Sequence, residues 1–438
     1  MGQQGKHLNS IKVSHEKHTA GCATEIMAIP ETVCISMSQH IGAPCKPLVK
    51  KGDQVKVGQL IGDTDAFVSA PIHSSVSGTV KEISTIRSVT GGDDQVVIIE
   101  TDGNQDVYEE IKPPVINDMK DFIAAVRASG LVGLGGASFP THIKLNPKNL
   151  EEVDTLIVNA AECEPFITSD HRLMLENTEY IKGAVAIMKH LGLKKGHIGV
   201  EENKPDAIEK LRKVIADMGH SGDIEVNVLR ARYPQGAERV MIYEITGKTL
   251  RAGMLPADVG VILSNVTTIA FIGQYLETGR PLTTKRVTVD GNAVAEPKNI
   301  IVPIGARIAD VIAACGGYKA EPKKILMGGP MMGRAVYSDA FPIIKNNNAI
   351  LAFDGPQALI PEETGCIKCG RCHGACPFKL LPVSIAEAYE NKDVERLQAL
   401  EVMQCMECGS CSYICPARRP LAFINKMSKG FLKEATSK

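Results

Sequence analysis

Two runs of four cysteines near the end of the chain constrain its fold more than any other feature. Each run has the spacing Cys-x-x-Cys-x-x-Cys-x-x-x-Cys-Pro, with Pro377 ending the first and Pro416 ending the second. The cysteines are Cys366, Cys369, Cys372, Cys376, Cys405, Cys408, Cys411 and Cys415. This close spacing allows three thiolates to surround one face of an iron–sulfur cubane while backbone amides point at its sulfurs. The runs therefore predict two 4Fe–4S clusters.

The spacing resembles that of two-cluster bacterial ferredoxins, in which the fourth cysteine of each run binds the other cluster. The resemblance implies one cluster on Cys366, Cys369, Cys372 and Cys415, and another on Cys405, Cys408, Cys411 and Cys376. Zinc also binds Cys-x-x-Cys pairs and is the alternative. Two complete runs, each followed by proline, favour clusters. The predicted helical stretch between the runs is similar to the α-helical ferredoxin domain of succinate dehydrogenase iron–sulfur subunits.

Changes of periodicity along the 438 residues predict a multidomain α/β protein. The predicted parts are an N-terminal tail (1–30), a β domain (31–103), an α/β domain (104–285), a β-grasp domain (286–348) and an α-helical cluster domain (349–438). The β-grasp prediction, of the SLBB type, rests on a hairpin signal at Asp290 and Gly291, followed by a helix that Gly316 and Gly317 close.

The predicted β domain has short strands joined by Gly-Asp and Ser-Gly turns. It resembles the hammerhead fold, or barrel-sandwich hybrid, of biotinyl and lipoyl carrier domains. Those carriers present a lysine on a hairpin, but here no lysine occurs between Lys56 and Lys81. We therefore expect the carrier fold without the carrier chemistry.

Charge and hydropathy argue against a nucleic-acid-binding surface, a membrane-spanning helix and a signal peptide. The chain has 49 basic and 50 acidic residues and no long basic stripe, so a nucleic-acid surface is not expected. No apolar run reaches the length of about 18 residues that a membrane-spanning helix needs. The N-terminus is polar, which is not typical of a signal peptide. These features predict a cytoplasmic protein without its own transmembrane segment, which partners would have to hold at a membrane.

A glycine-rich loop at 129–145 is the strongest candidate for a nucleotide site. Gly133, Gly135 and Gly136 nearly match the dinucleotide fingerprint, but a Rossmann loop must follow a strand. Here the loop follows a predicted helix, so a Rossmann site is disfavoured. Backbone without side chains can nevertheless lie against a flavin ring or turn its N–H groups toward a phosphate.

Three further segments accompany the loop: Ile157 to Pro165, Arg232 to Val240 and Ile262 to Thr268. Together the four segments resemble the NADH-binding flavoprotein subunit of respiratory complex I. The resemblance implies FMN contacts at Gly133, Gly135, Gly136, Lys144, Asn159, Glu162, Tyr233, Gly236, Glu238, Asn265 and Thr268, and NAD(H) contacts at Phe139 and Glu164. The chain departs from that family's pattern at Leu134, Ala161, Ala237 and Ser264.

Nearly the whole chain resembles the RnfC family, one of the components of the Rnf (Rsx) electron-transport complex. The resemblance includes QHIGAPCKPLV, the glycine loop, NAAECEP, ILMGGPMMG and both cysteine runs. It implies a peripheral protein on the cytoplasmic side of the cell membrane, bound to other subunits of the complex. That complex exchanges electrons between ferredoxin and NAD and couples the reaction to Na+ or H+ transport. The implied cofactors are two 4Fe–4S clusters, FMN and NAD(H).

Two alternatives remain open at this point. A cobalamin reductase of the propanediol-utilisation type shares these modules, but the β domain that precedes the glycine loop favours the Rnf family. The other alternative is a subunit that only conducts electrons, without nucleotide turnover of its own. The four departures from the flavoprotein pattern are compatible with that second function.

Overall fold

The computed structural model describes residues 7–89 and 91–437. Its first strand, β1 (Glu25–Ile26), joins a sheet of a later domain. The N-terminal β domain then contains β2 (Thr32–Ser36), β3 (Lys46–Pro47), β4 (Gln54–Val55), β5 (Leu60–Asp63), β6 (Ile72–His73), β7 (Gly78–Arg87) and β8 (Asp93–Thr101). They form a four-stranded sheet, β2-β8-β7-β4, and a three-stranded sheet, β3-β5-β6. Their apolar side chains form one core, which includes Val33, Ile35 and Ile72.

The central domain surrounds a four-stranded parallel sheet in the order β11-β10-β9-β12. Its elements are α1 (Met119–Ala128), α2 (Thr141–Lys144), β9 (Thr155–Ala160), α3 (Ser169–Glu176), α4 (Glu179–Leu191), β10 (Lys195–Glu201), α5 (Pro205–Asp217), β11 (Ile224–Leu229), α6 (Glu238–Thr246), β12 (Val261–Asn265) and α7 (Val266–Thr278). Strand β9 is almost entirely buried, as a parallel strand covered on both faces should be. Asn159 on β9 and Asn265 on β12 are register partners, so two predicted site residues lie together at the carboxyl edge of the sheet.

The third domain contains β13 (Thr284–Asp290), β14 (Lys298–Pro303), α8 (Ile308–Ala313), β15 (Lys324–Met327), β16 (Arg334–Val336) and β17 (Ala349–Phe353). Its six-stranded sheet has the order β1-β14-β13-β17-β15-β16. The sheet extends beyond the predicted bounds 286–348, because β1 comes from the predicted tail and β17 from the predicted cluster domain. All five residues of β17 are buried, and a short apolar run of this kind does not indicate which neighbour it joins. The predicted hairpin exists, but its connection spans 291–297 instead of a two-residue turn.

The predicted tail is packed against the rest of the protein from residue 7 onward. Ile11 and Tyr233 exchange backbone hydrogen bonds of 2.9 and 3.0 Å. The ammonium group of Lys17 donates to three carbonyl oxygens, those of Glu162, Glu164 and Ile167, at 2.5–2.9 Å. We call residues 7–22 the N-terminal strap, since they hold together parts of the chain that are distant in sequence.

The C-terminal domain is helical, as predicted. It consists of α9 (Arg371–Ala375), α10 (Pro382–Glu390), α11 (Val394–Ala399), α12 (Ser410–Tyr413) and α13 (Leu421–Thr436), joined by cysteine-containing loops. Within residues 7–89 and 91–437, no helix combines the length and the apolar character that crossing a bilayer requires.

Helices α4 and α7 approach each other closely at Gly183 and Gly273. A Cβ atom added at Gly183 would lie 1.9 Å from the carbonyl oxygen of Ile269, and one at Gly273 would lie 2.3 Å from that of Glu179. Neither position has room for a side chain. The contact fixes α7, whose first turn carries Thr268, against the core of the central domain.

Gly183→Ala is expected to destabilise the protein by about 1–3 kcal/mol, because overpacking forces the two helices apart. Gly430→Ala is the matched control: Gly430 lies inside α13, and an added Cβ there has no heavy atom within 4 Å. Alanine should stabilise that helical position by up to about 1 kcal/mol. Calorimetric unfolding of both variants measures the difference, and an unchanged unfolding profile for Gly183→Ala would contradict the close approach.

Candidate nucleotide site and cysteine cavities

Four carbonyl groups of the glycine loop accept hydrogen bonds from residues outside the loop. Their donors come from the β domain, the start of the β-grasp sheet and the segment before β17. The pairs are Lys345 Nζ with the Gly130 carbonyl (2.7 Å), Lys285 Nζ with Leu134 (3.0 Å), Asn346 Nδ2 with Gly136 (3.0 Å) and the Ile41 N–H with Ser138 (3.0 Å). The loop is therefore fixed by several domains at once.

The tip of the same loop points its backbone at solvent. Gly135, Gly136 and Ala137 are exposed, and their N–H groups donate no hydrogen bond within the part of the chain that the structure describes. A Cβ atom at Gly135 would lie 3.0 Å from the side chain of Asn265, and Gly136 has a φ of +110°, which favours glycine. The tip thus presents backbone donors to solvent, an arrangement suited to phosphate or to the polar edge of a flavin.

Other predicted flavin contacts pack around this loop. The N–H of Leu134 donates to Thr268 Oγ1 (2.9 Å), and the N–H of Gly133 donates to the Phe139 carbonyl (2.9 Å), which closes the loop. Lys144 follows at the end of α2 and pairs with Glu238, the first residue of α6, at 2.6 Å. The structure therefore brings these residues into one region.

Asn159 joins the Tyr233-to-Glu238 segment to the end of β9. Its Nδ2 donates to the carbonyl of Gly236 at 2.8 Å, and its Oδ1 accepts from the N–H of Ala161 at 3.3 Å. Gly236 also donates its N–H to the sulfur of Cys163 at 3.2 Å. Asn159 and Gly236, both predicted to contact FMN, are thus hydrogen-bonded to each other.

The carboxylate of Glu162 caps helix α3. It accepts hydrogen bonds from the N–H groups of Asp170 (2.6 Å) and His171 (3.2 Å), at the positive end of the helix dipole. Burial raises the pKa of Glu162, while the nearby Lys17 opposes that shift. Asp170 in turn accepts from Asn265 Nδ2 at 2.7 Å. Glu162 therefore holds the start of α3, and Asp170 in that first turn holds the side chain of Asn265.

Glu164 joins the central domain to the β-grasp domain. Its two carboxylate oxygens accept from the N–H groups of Met331 (3.0 Å) and Met332 (2.9 Å), in the ILMGGPMMG segment. A Cβ atom at Gly329 would lie 2.3 Å from this carboxylate, so the glycine makes room for it. Burial raises the pKa of Glu164 to about 7, although the two amide donors favour the charged form. Its predicted contact with NAD(H) stays a prediction.

Tyr233 connects the central domain to the cluster domain. Its side chain is 1% exposed, and its hydroxyl donates to the carbonyl of Cys408 at 2.6 Å. Nearby, the guanidinium of Arg239 lies 3.9 Å from the centre of the Phe378 ring and donates to the carbonyl of Gln404 at 2.9 Å. No sequence motif marks Arg239 or Gln404, because contacts between domains leave no local pattern.

The eight cysteines line two cavities in the crossed arrangement that the resemblance implies. One cavity is lined by Cys366, Cys369, Cys372 and Cys415, and the other by Cys376, Cys405, Cys408 and Cys411. Among residues 7–89 and 91–437, no three His, Cys, Asp or Glu side chains converge closely enough to hold one metal ion. The thiols surround a space instead of meeting at a point, which fits a cluster better than a single zinc ion.

The two cysteine loops have the same backbone conformation. Positive φ values occur at matching places, at Lys368 (54°) and Gly370 (73°) in the first run and at Glu407 (61°) and Gly409 (81°) in the second. Successive residues of this kind turn backbone N–H groups toward a common concavity, which suits an anionic cluster. The structure thus supplies amide donors as well as thiolates.

The two cavities differ in their surroundings. Cys408 is buried next to Tyr233 of the central domain and Cys411 within the core of the cluster domain, whereas Cys369 is exposed. Two apolar residues that line the first cavity, Ile367 and Leu381, are 69% and 46% exposed. One cavity therefore includes a cysteine that contacts the central domain, and the other includes exposed residues.

Known families match the chain in the predicted order. The RnfC barrel sandwich hybrid domain matches residues 6–104, the Nuo51 FMN-binding domain 126–274, the SLBB domain 286–335 and the 4Fe-4S dicluster domain 358–416. These matches confirm the predicted fold class: a barrel-sandwich hybrid, an α/β flavin domain, a β-grasp domain and a cluster domain. They also confirm FMN and 4Fe–4S clusters as the cofactors.

The chain also resembles solved structures of an NAD+-reducing NiFe hydrogenase. For its air-oxidized state the TM-score is 0.49 with 19% sequence identity, over 74% of this chain and 55% of the hydrogenase chain. For the H2-reduced state the TM-score is 0.48 with 18% identity, over 73% of this chain and 61% of that chain. This chain thus spans about half the length of the hydrogenase chain in one case and less than two thirds of it in the other.

Curated relatives resemble the chain over most of its length. The RnfC protein of the proton-translocating ferredoxin:NAD(+) oxidoreductase complex of Clostridium ljungdahlii is 44% identical over 84% of this chain and 80% of the relative. Its counterpart in the Na(+)-translocating complex of Acetobacterium woodii is 44% identical over 91% and 90%. The counterpart in the ion-translocating oxidoreductase complex of Rhodobacter capsulatus is 36% identical over 97% and 82%. The chain therefore belongs to the RnfC family of the ion-translocating ferredoxin:NAD oxidoreductase, or Rnf, complexes.

Proposed function

We propose that this chain is the NAD(H)-reacting subunit of a membrane-bound ferredoxin:NAD oxidoreductase that transports Na+ or H+. On this proposal it transfers electrons between NAD(H) and two 4Fe–4S clusters by way of FMN. It is a peripheral subunit on the cytoplasmic side of the cell membrane, where other subunits of the complex hold it. The names of two relatives at 44% identity give ferredoxin:NAD(+) oxidoreductase as the activity of their complexes, one translocating protons and one Na+.

The observation that carries the proposal is the hydrogen bond between Tyr233 and Cys408. Tyr233 lies in the segment that also contains Gly236 and Glu238, which pack at the nucleotide region. Cys408 lines the buried cysteine cavity. A candidate nucleotide site and a candidate electron carrier are thus in direct contact through one side chain, which a subunit that both binds NAD(H) and conducts electrons requires.

The chain's own residues provide a cradle for FMN. The N–H groups of Gly135, Gly136 and Ala137 would hold its anionic or polar edge, and Lys144, which pairs with Glu238, would add a donor beside the loop. Asn159, Gly236, Asn265 and Thr268 hold the surrounding backbone through the contacts described above. FMN, when bound, exchanges two electrons with NAD(H) as hydride and single electrons with clusters. Phe139 and Glu164 are the proposed contacts for NAD(H).

The exposed cavity marks the proposed exit toward the other subunits. Cys369 lies at the surface there, and the exposed side chains of Ile367 and Leu381 line the same cavity. Apolar side chains left in water beside a redox site favour association with a partner protein. Electrons would therefore pass between the nucleotide region and a partner subunit through the buried cavity first and the exposed cavity second.

The first experiment is to purify the full chain anaerobically, measure its iron, sulfide and FMN, and record the visible spectrum on addition of NADH. About eight irons with flavin, and bleaching by NADH, are expected for two 4Fe–4S clusters fed by a nucleotide site. The same iron content without flavin or NADH response would contradict the proposal and favour a purely electron-conducting subunit. Reduction of cob(III)alamin by NADH would instead favour a cobalamin reductase.

Lys144→Met is expected to weaken FMN binding by about tenfold or more, because a charge-assisted contact contributes about 1.5–3 kcal/mol. Iron content should be unchanged. Lys120→Met is the matched control, since Lys120 is exposed on α1 and away from the loop tip. Titration of flavin-depleted protein with FMN measures both affinities, and equal values for the two variants would remove Lys144 from the site.

Cysteine variants test the crossed ligand sets. Cys369→Ser and Cys415→Ser should alter the paramagnetic resonance signal of the same cluster, because both residues line one cavity. Cys376→Ser should alter the other signal. Cys315→Ser, at a buried cysteine of the β-grasp core, is the control that should leave both signals intact. If Cys376→Ser alters the same signal as Cys369→Ser, and Cys415→Ser alters the other one, the crossing is wrong.

A further inference from the structure

The hydroxyl of Tyr233 contacts the backbone of a predicted cluster ligand and not its sulfur. The carbonyl of Cys408 accepts this hydrogen bond at 2.6 Å. A tyrosine hydroxyl carries its proton at neutral pH and is therefore the donor in this contact. The ring packs with Ile11, Val13 and Ala375, which fixes its orientation.

The hydrogen bond to the Cys408 carbonyl also affects the N–H group of the next residue, Gly409. The peptide between Cys408 and Gly409 is planar and trans, so its carbonyl and its N–H point in opposite directions. With the carbonyl directed at Tyr233, the N–H of Gly409 is directed away from Tyr233. Gly409 lines the buried cysteine cavity, and its N–H donates no hydrogen bond within residues 7–89 and 91–437.

The equivalent peptide of the first cysteine run, between Cys369 and Gly370, lacks such a hydrogen bond to its carbonyl among the residues that the structure describes. Gly370 repeats the positive φ of Gly409, at 73° and 81°. Cys369, however, is exposed, and its carbonyl accepts no hydrogen bond from the described part of the chain. The described residues thus give the second run a contact with a tyrosine hydroxyl at a position where the first run has none.

We propose that Tyr233 is a positioning residue that raises the reduction potential of the cluster bound by Cys376, Cys405, Cys408 and Cys411. Donation to the Cys408 carbonyl polarises the peptide and makes the Gly409 N–H a stronger donor. Hydrogen bonds to cluster sulfurs are among the factors that set the potential, and each one stabilises the more negative, reduced state. The inference rests on the proposed clusters but not on nucleotide turnover.

The test is a redox titration of the full chain with both clusters loaded, poised with dithionite and mediators and followed by electron paramagnetic resonance. Tyr233→Phe is expected to shift one midpoint potential to a more negative value and to leave the other unchanged. Cys369→Ser identifies the signal of the exposed cluster. Because no NAD(H) is used, a failure of the proposed nucleotide chemistry would not affect the result.

Tyr180→Phe is the matched control. Tyr180 is also fully buried, and its hydroxyl donates to a backbone carbonyl, that of Met174 at 3.2 Å, but within the central domain. Its loss should shift neither potential. Equal shifts of both clusters in Tyr233→Phe, a positive shift, or no shift at unchanged iron content would overturn the proposal.

A second substitution covers the case in which Tyr233→Phe loads its clusters poorly. Replacing Tyr233 by 3-fluorotyrosine keeps the ring and the hydroxyl but makes the hydroxyl a stronger donor. The same midpoint potential should then move in the positive direction, opposite to the phenylalanine variant. Unchanged potentials in the fluorinated protein would also overturn the proposal.

Discussion

A buried carbonyl oxygen needs a donor, and in this protein buried lysines supply it at the places where domains meet. Lys345 donates to the carbonyls of Pro71 and Gly130, and Lys285 donates to that of Leu134. Burial lowers the pKa of Lys345 to about 7 and that of Lys285 to about 8, because the charged form loses its hydration. The open glycine tip depends on these contacts, since they hold the loop's carbonyls and leave the N–H groups of the tip directed at solvent.

The predictable part of the site is the part that is local in sequence. Each run places four cysteines within eleven residues, and this spacing predicts that the eight cysteines group together, with the fourth cysteine of each run lining the other run's cavity. The glycine loop is also recognisable locally: a Cβ atom at Gly135 would lie only 3.0 Å from Asn265, and the φ of Gly136 favours glycine. Lys285 and Lys345 left no such pattern: a lysine is normally exposed, and only the folded chain shows that each one caps a distant carbonyl.

Domain boundaries were harder to predict than domain types, for a physical reason. Residues of β17 pair with β13 on one side and β15 on the other, although the chain enters the cluster domain directly afterwards. An apolar run carries no information about its partner until the neighbouring strands are placed. Glu164 illustrates the same limit: its two hydrogen bonds to backbone amides of the β-grasp domain join segments that are far apart in sequence, and no local pattern indicates them.

The N-terminal strap has a consequence for biosynthesis. On the ribosome, Lys17 emerges before any of the carbonyls that it binds, and Ile11 emerges long before Tyr233 and the cysteine loops against which it packs. The strap is therefore made before its partners and reaches its place only after they have been made. Until then its apolar side chains stay uncovered, and completion of the fold waits for the cluster domain at the other end of the chain.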